Sequence, residues 1–440
     1  MSTPTLERAA QTAAPAASAV ANARSRAFPM VVFALTFGLL LSDYMSRQVL
    51  SAVFPFLKVE WALTDTQLGA LTSVVALTVG LLAVPLSLLG DRWGRSKAII
   101  AMATLWSVAT LGSAIAANYE QMMLARLFIG LGEAAYGSVG LAVVLMVFAP
   151  SKRASLTGAF MAGGSFGSVL GVFLGGILAV HLGWRWSFGV MAVIGLVLVF
   201  LYFLFINDAK LVRNQHPGNA VAVPVATTSK RAKLRTLVST PSVVCAYVGS
   251  GLQLFVAGSL FAWLPSYLNR AYGLAPDKAG IAAAGFILLM GVGMIVCGVI
   301  TDRLTRAEPI RKWTTALVYA SLSLALLPLG FDQDPGRLQL VLIAAGAFFA
   351  AGVSGPAGAM VANLTPASIR ATAFGTLTLA NNLLGLAAGP LVVALLADRL
   401  GLVDAMKFMP LVSVLAIAAL FIGRSQYMSS IKRAGAVASS

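Results

Sequence analysis

Long apolar runs recur along the chain, separated by short polar stretches in which arginine and lysine are common. The runs fall at about Phe28 to Phe56, Gln67 to Gly90, Lys97 to Ala117, Met122 to Phe148, Leu156 to Val180, Trp186 to Ile206, Pro241 to Leu268, Ala279 to Ile300, Trp313 to Gly330, Leu338 to Ala362, Ala371 to Ala397 and Ala405 to Gly423. About 20 residues at 1.5 Å rise cross the roughly 30 Å hydrocarbon core, so each run can span it once as a helix. The glycine load and the lack of period-two alternation argue against a barrel. Composition agrees, with 59% hydrophobic and 10% charged residues and a mean hydropathy of +0.88, too apolar for a soluble chain of this length. The expectation is an all-α polytopic membrane protein of twelve transmembrane helices.

The pattern divides in the middle. The longest polar stretch, about Asn207 to Thr240, carries Pro217, Gly218 and Pro224 and ends in the basic run Lys230 to Arg235, with six apolar runs on either side. A phrase also recurs: Gly90-Asp91-Arg92-Trp93-Gly94-Arg95 follows the second run, and Thr301-Asp302-Arg303-Leu304-Thr305-Arg306 follows the eighth. Asp91 and Asp302 are 211 residues apart. A duplicated six-helix unit with its site at the midplane between halves is a recurring transporter architecture. The expected organisation is a disordered tail over residues 1–27, six-helix bundles over 28–206 and 241–427, a linker over 207–240 and a tail over 428–440.

Charge sets the expected orientation. Of the 31 Lys and Arg residues, 22 fall in the tails and in the loops on the side of the amino terminus, 7 in the opposite loops, and Arg47 and Arg126 inside runs. The positive-inside rule then places both termini in the cytoplasm. This asymmetry, with attraction to an anionic leaflet, accounts for the net charge of +16 without nucleic-acid binding. The first run is too long, and too poorly marked for cleavage, to be a signal peptide. Cys245 and Cys297 lie inside runs, and His181 and His216 on opposite sides, so neither a disulfide framework nor a metal site is expected. No nucleophile triad or phosphate loop points to an enzyme or an ATP-driven pump, and no cofactor is expected.

Asp43, Arg47, Arg126 and Glu133 carry the chemistry. Each sits inside an apolar run, where a charge costs roughly 2.5 to 3.5 kcal/mol on insertion scales, so they must pair or meet water. Asp43 and Arg47 are one turn apart and Arg126 and Glu133 two turns apart, which puts each couple on one helical face. Runs seven to twelve hold no such charges, leaving polar and aromatic groups such as Asn381 and Asn382 to that half.

These motifs resemble the major facilitator superfamily over about Phe28 to Gly423. Its signature loop, G-x-x-x-D-R-x-G-R-x-K, is similar to Ser87 through Lys97, with serine for the opening glycine; in the second copy Thr305 replaces the inner glycine. The resemblance makes Asp91, Arg92, Gly94, Arg95, Asp302 and Arg303 a cytoplasmic gate that latches and releases as the halves rock. The fourth run, Arg126-Leu-Phe-Ile-Gly130-Leu-Gly132-Glu133-Ala-Ala-Tyr136, resembles the R-x-x-x-G-x-G-E-A motif of the spinster-like and organic anion symporter branches. Such relatives usually read N-Y-x-D-R in the first run, whereas here it is Asp43-Tyr44-Met45-Ser46-Arg47, the acid lying three residues earlier.

The resemblance implies a monomeric secondary transporter in a bacterial inner membrane. Its partners are the bilayer, a small-molecule substrate and protons, with sodium open as an alternative ion. Asp43 and Glu133 are the expected proton-coupling residues, and Arg47, Arg126, Tyr44, Tyr136, Asn381 and Asn382 the expected substrate-binding or charge-pairing residues. An amphipathic or lysolipid cargo is the alternative, and a non-transporting receptor the rival from another class.

Overall fold

A computed structural model describes residues 5–216, 240–305, 308–365 and 370–431, with side chains from residue 27 onward except those at 91, 154, 370 and 371. All regular structure among them is helical. Among the described residues, twelve helices are long and apolar enough to cross a membrane: Ala27–Glu60, Asp65–Gly90, Arg95–Ile115, Tyr119–Val147, Ser155–His181, Trp184–Phe205, Pro241–Tyr272, Pro276–Leu304, Arg311–Asp332, Arg337–Leu364, Thr372–Leu400 and Leu402–Ser425. They are called spans one to twelve below. An even number of crossings returns the chain to its starting side, here the termini side, opposite the far side.

One expectation needs correction. The helix carrying the first span begins at Thr5, although residues 1–27 read as a disordered tail. Alanine dominates that stretch and has the highest helix propensity, so the helix extends beyond its membrane-crossing part. Most of the 207–240 linker, including Lys230 to Arg235, lies outside the described residues, as does the end of the carboxy-terminal tail.

Local sequence explains where the spans begin. Thr64 caps the second span by accepting from the Gln67 amide while the Gln67 side chain accepts from the Thr64 amide, a capping box. Asn118 caps the fourth by accepting from the Gln121 amide. The glycine stripe of span five packs on span one as its spacing suggests. A methyl at Gly171 would stand 2.6 Å from the Met45 carbonyl oxygen, so only glycine permits this approach.

The outer faces of the bundle carry exposed large apolar side chains such as Phe200, Phe203, Val341, Leu415 and Phe421, which suits a lipid environment. Inside, packing differs between the two ends. Toward the far side one apolar cluster runs through both halves, from Val53, Phe54 and Leu57 to Trp263, Leu264, Val393 and Met406. Toward the termini the core splits into one cluster around Trp106, Tyr136 and Tyr202 and another around Trp313, Tyr319 and Met360. One buried apolar cluster therefore joins the halves at the far side, whereas toward the termini each half has its own.

Candidate functional site

Span four is broken at its most polar point. It runs as helix from Tyr119 to Glu133, turns through Ala134 and Ala135, and resumes from Tyr136 to Val147. Glu133 thus closes the first piece, with its side chain wholly buried, and its Oε2 accepts from Arg47 Nη2 at 2.6 Å and Nε at 3.1 Å. Arg47 also lies 5.4 Å from the Tyr44 ring centroid. The Asp43 carboxyl lies beside that of Glu133, near enough to hydrogen-bond if one carries a proton. Same-face spacing suggests pairing within each helix, but the ion pair forms between helices. Contact of spans one and four brings Arg47 to Glu133, while Arg126 is two turns, about 10 Å, along its helix from that acid.

Among the described residues Arg126 has no carboxylate partner. It is 0% exposed, its guanidinium stands 5.2 Å from the Phe188 ring centroid, and Nη1 reaches only the Ser46 carbonyl, at 3.5 Å. Nε and Nη2 have no partner. Breaking a buried pair costs about 3–5 kcal/mol because it strands a charge, so an anion at these nitrogens would relieve a real penalty.

The remaining expected residues divide. Tyr136 donates to the Thr36 carbonyl at 2.6 Å and packs edge-on to Trp106, so its hydroxyl is committed inside the amino-terminal half. Asn381 Oδ1 accepts from Ser250 at 2.8 Å, and Asn382 donates to the Thr378 carbonyl while its buried Oδ1 has no partner. Both open a π-helical stretch, Asn381–Ala387, within span eleven, a distortion that hydropathy does not reveal and that recurs at functional sites.

The signature loop holds a contact within one half. Gly94 has φ +98°, and a Cβ there would stand 2.6 Å from Asp208 Oδ2. Asp208 Oδ1 accepts from the Ser96 amide at 2.9 Å, so the segment after span six caps the start of span three. Arg95 reaches the Met146 sulfur at 3.9 Å. Arg92, Asp302 and Arg303 are exposed and form no ion pair among the described residues. The Asp91 side chain lies outside the described set. The structure therefore shows how Gly94 is fixed at the start of span three.

The comparisons decide the family. A model of the Major Facilitator Superfamily matches residues 36–334 and 270–436. The chain belongs to the Major Facilitator Superfamily. It is 26% identical over 364 residues to an MFS-type efflux pump of Mycolicibacterium smegmatis, covering 81% of this chain and 82% of that protein. It is 27% identical over 315 residues to a probable L-galactonate transporter of Escherichia coli, covering 70% and 69%. The fold matches the crystal structure of a bacterial homolog to the human lysosomal transporter Spinster, in an inward-facing and occupied conformation, with TM-score 0.79, 17% identity and coverage of 92% and 98%.

For a major facilitator transporter the far-side closure is a second functional element, and sequence reading missed it. Asp65, at the start of span two, accepts from Lys58 Nζ at 2.6 Å and bidentately from Arg270 at 2.6 and 2.8 Å. Arg270 belongs to the other half, so this charge-assisted fork ties the halves together. Asp398 of span eleven adds a second tie by accepting from the Asp65 and Thr66 amides at 2.7 and 2.9 Å. Asp65 reads in sequence as an acidic residue beginning a helix, and nothing along the chain marks Arg270 as its partner.

Proposed function

We propose that this protein is a proton-coupled secondary transporter of small organic anions working by alternating access, with Asp43 and Glu133 sharing the proton. One observation carries the reading: a single guanidinium, Arg47, pairs with Glu133, beside which the Asp43 carboxyl lies, while the second guanidinium, Arg126, keeps two donor nitrogens free. Adjacent carboxylates with a single counter-charge favour one shared proton. A free buried guanidinium favours an anion, and arginine's planar fork suits a carboxylate. Protonation would release Arg47 from Glu133 and let the pair rearrange as the halves rock. A likeness to a probable L-galactonate transporter supports a sugar acid as cargo. The excess of basic residues on the termini side supports termini in the cytoplasm of a bacterial inner membrane.

The test is counterflow and uphill uptake in proteoliposomes with a panel of sugar acids and other organic anions, with internal pH recorded. The reading expects an anion to accumulate against its gradient while the interior acidifies as protons enter with it. Exchange of no compound in the panel would support a receptor instead. The second reading, export of an amphipathic compound, is favoured by the likeness to an efflux pump and to a Spinster homolog. Counterflow of lysolipid but of no sugar acid would establish it.

A further inference from the structure

Span eleven departs from a regular helix in its middle. It is α-helical over Arg370–Ala380, π-helical over Asn381–Ala387 and α-helical again over Ala388–Leu400. Pro390, three residues past the stretch, has no N–H, so the Leu386 carbonyl lacks the donor it would find one turn on. Side chains of two other spans bond the backbone just beyond the stretch: Trp263 Nε1 of span seven donates to the Pro390 carbonyl at 3.0 Å, and Ser73 Oγ of span two donates to the Ala387 carbonyl at 2.6 Å, both buried. The Ser73 bond breaks a pattern. Thr36, Thr78, Thr110, Ser113, Ser168 and Ser259 donate to the carbonyl one turn back on their own helix, whereas Ser73 donates to a helix of the other half.

Ser73 sits in a close seam between the halves. Toward the far side, a Cβ at Gly69 would stand 2.6 Å from Ala394 Cβ and 2.8 Å from the Pro390 carbonyl oxygen; toward the termini, one at Gly80 would stand 2.8 Å from Asn382 Cβ. These contacts follow one antiparallel register that starts where Asp398 meets the Asp65 amide. Ser73 is eight residues from Asp65, about 12 Å along the helix, so a rocking motion that opens the far side parts the seam there. The contacts on the stretch then divide. Ser250, bonded to Asn381 Oδ1, Gly251, packed on the Ala380 carbonyl and Leu384, and Trp263 all belong to span seven, in the same half as span eleven. Ser73 and Gly80 belong to the other half and separate from it. A π turn is a rare distortion, and strained backbone persists only where its surroundings hold it. Part of what holds this stretch depends on the far side being closed.

We propose that Ser73 is a positioning residue for the amides of Asn381 and Asn382: its bond to the Ala387 carbonyl, made while the far side is closed, holds the π-helical register that sets where those two side chains point. When the halves part, the bond is lost, the stretch relaxes toward α-helix and the amides turn, one residue of register being about 100°. Asn382 marks the change, since it is 6% exposed, has Gly80 against its Cβ and keeps an unpartnered Oδ1. The inference rests on the alternating-access reading for its functional meaning: the neutral half would offer cargo one polar surface with the far side closed and another with it open.

The experiment follows maleimide labelling of Asn382→Cys in the purified full-length protein in detergent, with the free cysteines Cys245 and Cys297 replaced by alanine. With Ser73 in place the buried thiol should label slowly. Ser73→Ala should raise the rate about tenfold, the population shift that loss of one buried hydrogen bond produces, and Ser73→Thr, which keeps the hydroxyl, should restore the slow rate. Leu377→Cys, buried in the same span outside the stretch, should label alike with and without Ser73→Ala. Equal rates at position 382 with and without Ser73→Ala, a rate in Ser73→Thr as fast as in Ser73→Ala, or an equal rise at Leu377→Cys would overturn the proposal. If Asn382→Cys does not fold, hydrogen exchange of the 381–391 amides decides: about tenfold faster exchange in Ser73→Ala than in wild type supports the proposal, and unchanged exchange overturns it. Neither measurement needs a substrate. Labelling that depends on Ser73 in a protein that exchanges no compound would remove the transport reading and leave this one, and uptake with labelling independent of Ser73 would do the opposite.

Discussion

The two six-helix halves repeat one plan and fill it differently. Span four breaks after Glu133, and its counterpart, span ten, breaks at Val353 between Gly352 and Ser354. In the amino-terminal half that region carries Asp43, Arg47, Arg126 and Glu133; in the other it is neutral, with amides and hydroxyls of Asn381, Asn382, Ser250 and Gln253. A duplicated backbone has therefore kept its helix breaks and polar positions while charge gathered on one side. On the proposed proton-coupled mechanism, charge changes would act on one half, and the neutral half would serve as the surface that half rocks against. This division gives unequal expectations for equivalent substitutions.

The largest effect is expected at Glu133. Glu133→Gln keeps the shape of the side chain but removes the charge that holds Arg47, so substrate should equilibrate without accumulating while counterflow persists. Uphill uptake at the wild-type level in this variant would move coupling away from the amino-terminal half and break the comparison. In contrast, Asn382→Ala should change apparent affinity and leave the accumulation ratio at saturating substrate intact, because a neutral amide carries no coupling charge.

The acid in span one sharpens the same point. Relatives of the branch it resembles carry that acid at the position of Ser46, and here the Ser46 carbonyl is the group that Arg126 reaches. An acid there would stand beside Arg126, whereas Asp43 stands beside Glu133. Its position in this chain thus explains why Arg126 has free donors. Asp43→Asn should reduce pH-driven uptake severely. Adding Ser46→Asp should restore proton dependence in part while weakening anion affinity, because Arg126 would gain a partner. Proton-driven uptake by Asp43→Asn equal to wild type would leave Glu133 as the single coupling acid.

Much of the fold could be read before any coordinates. Twelve spans, the midpoint division and the repeat follow from hydropathy and spacing, because a bilayer allows few ways to satisfy a backbone. The site was half legible. Intramembrane charges stand out against apolar neighbours, so Asp43, Arg47, Arg126 and Glu133 could be named. Their partners could not, since pairing depends on how two helices meet: Arg47 and Glu133 are 86 residues apart. Asp65 with Arg270 was hidden for the same reason. Both sit at span ends, where charges are ordinary. The π-helical stretch at Asn381 and the bond of Ser73 to span eleven depend on backbone register and rotamer, which composition does not encode.

The far-side fork gives a smaller effect that involves both halves. Asp65→Asn removes the charge that Arg270 and Lys58 share, and both cations are partly exposed, so screening limits its worth. A shift of roughly tenfold, about 1.4 kcal/mol, toward states open on the far side is expected. Cysteine labelling at Phe54 or Trp263, which pack together at 5.2 Å between ring centroids, measures it. Unchanged labelling would mean that the apolar contact of the halves closes this side without the ion pair.

The smallest effect is expected at Gln253, and it tests whether the neutral half is only a scaffold. Its amide is buried with Oε1 and Nε2 both lacking protein partners. Burying an unsatisfied amide is unfavourable, and replacing such a group by an apolar one of similar size is often neutral or stabilising. Gln253→Leu should therefore change thermal stability by no more than about 1 kcal/mol in either direction, with uptake and its pH profile intact. A large loss of stability would mean that the amide is well hydrated and holds span seven against its neighbours. Loss of uptake with stability unchanged would give the neutral half a direct part in transport, and the asymmetry between the halves would then be one of charge alone.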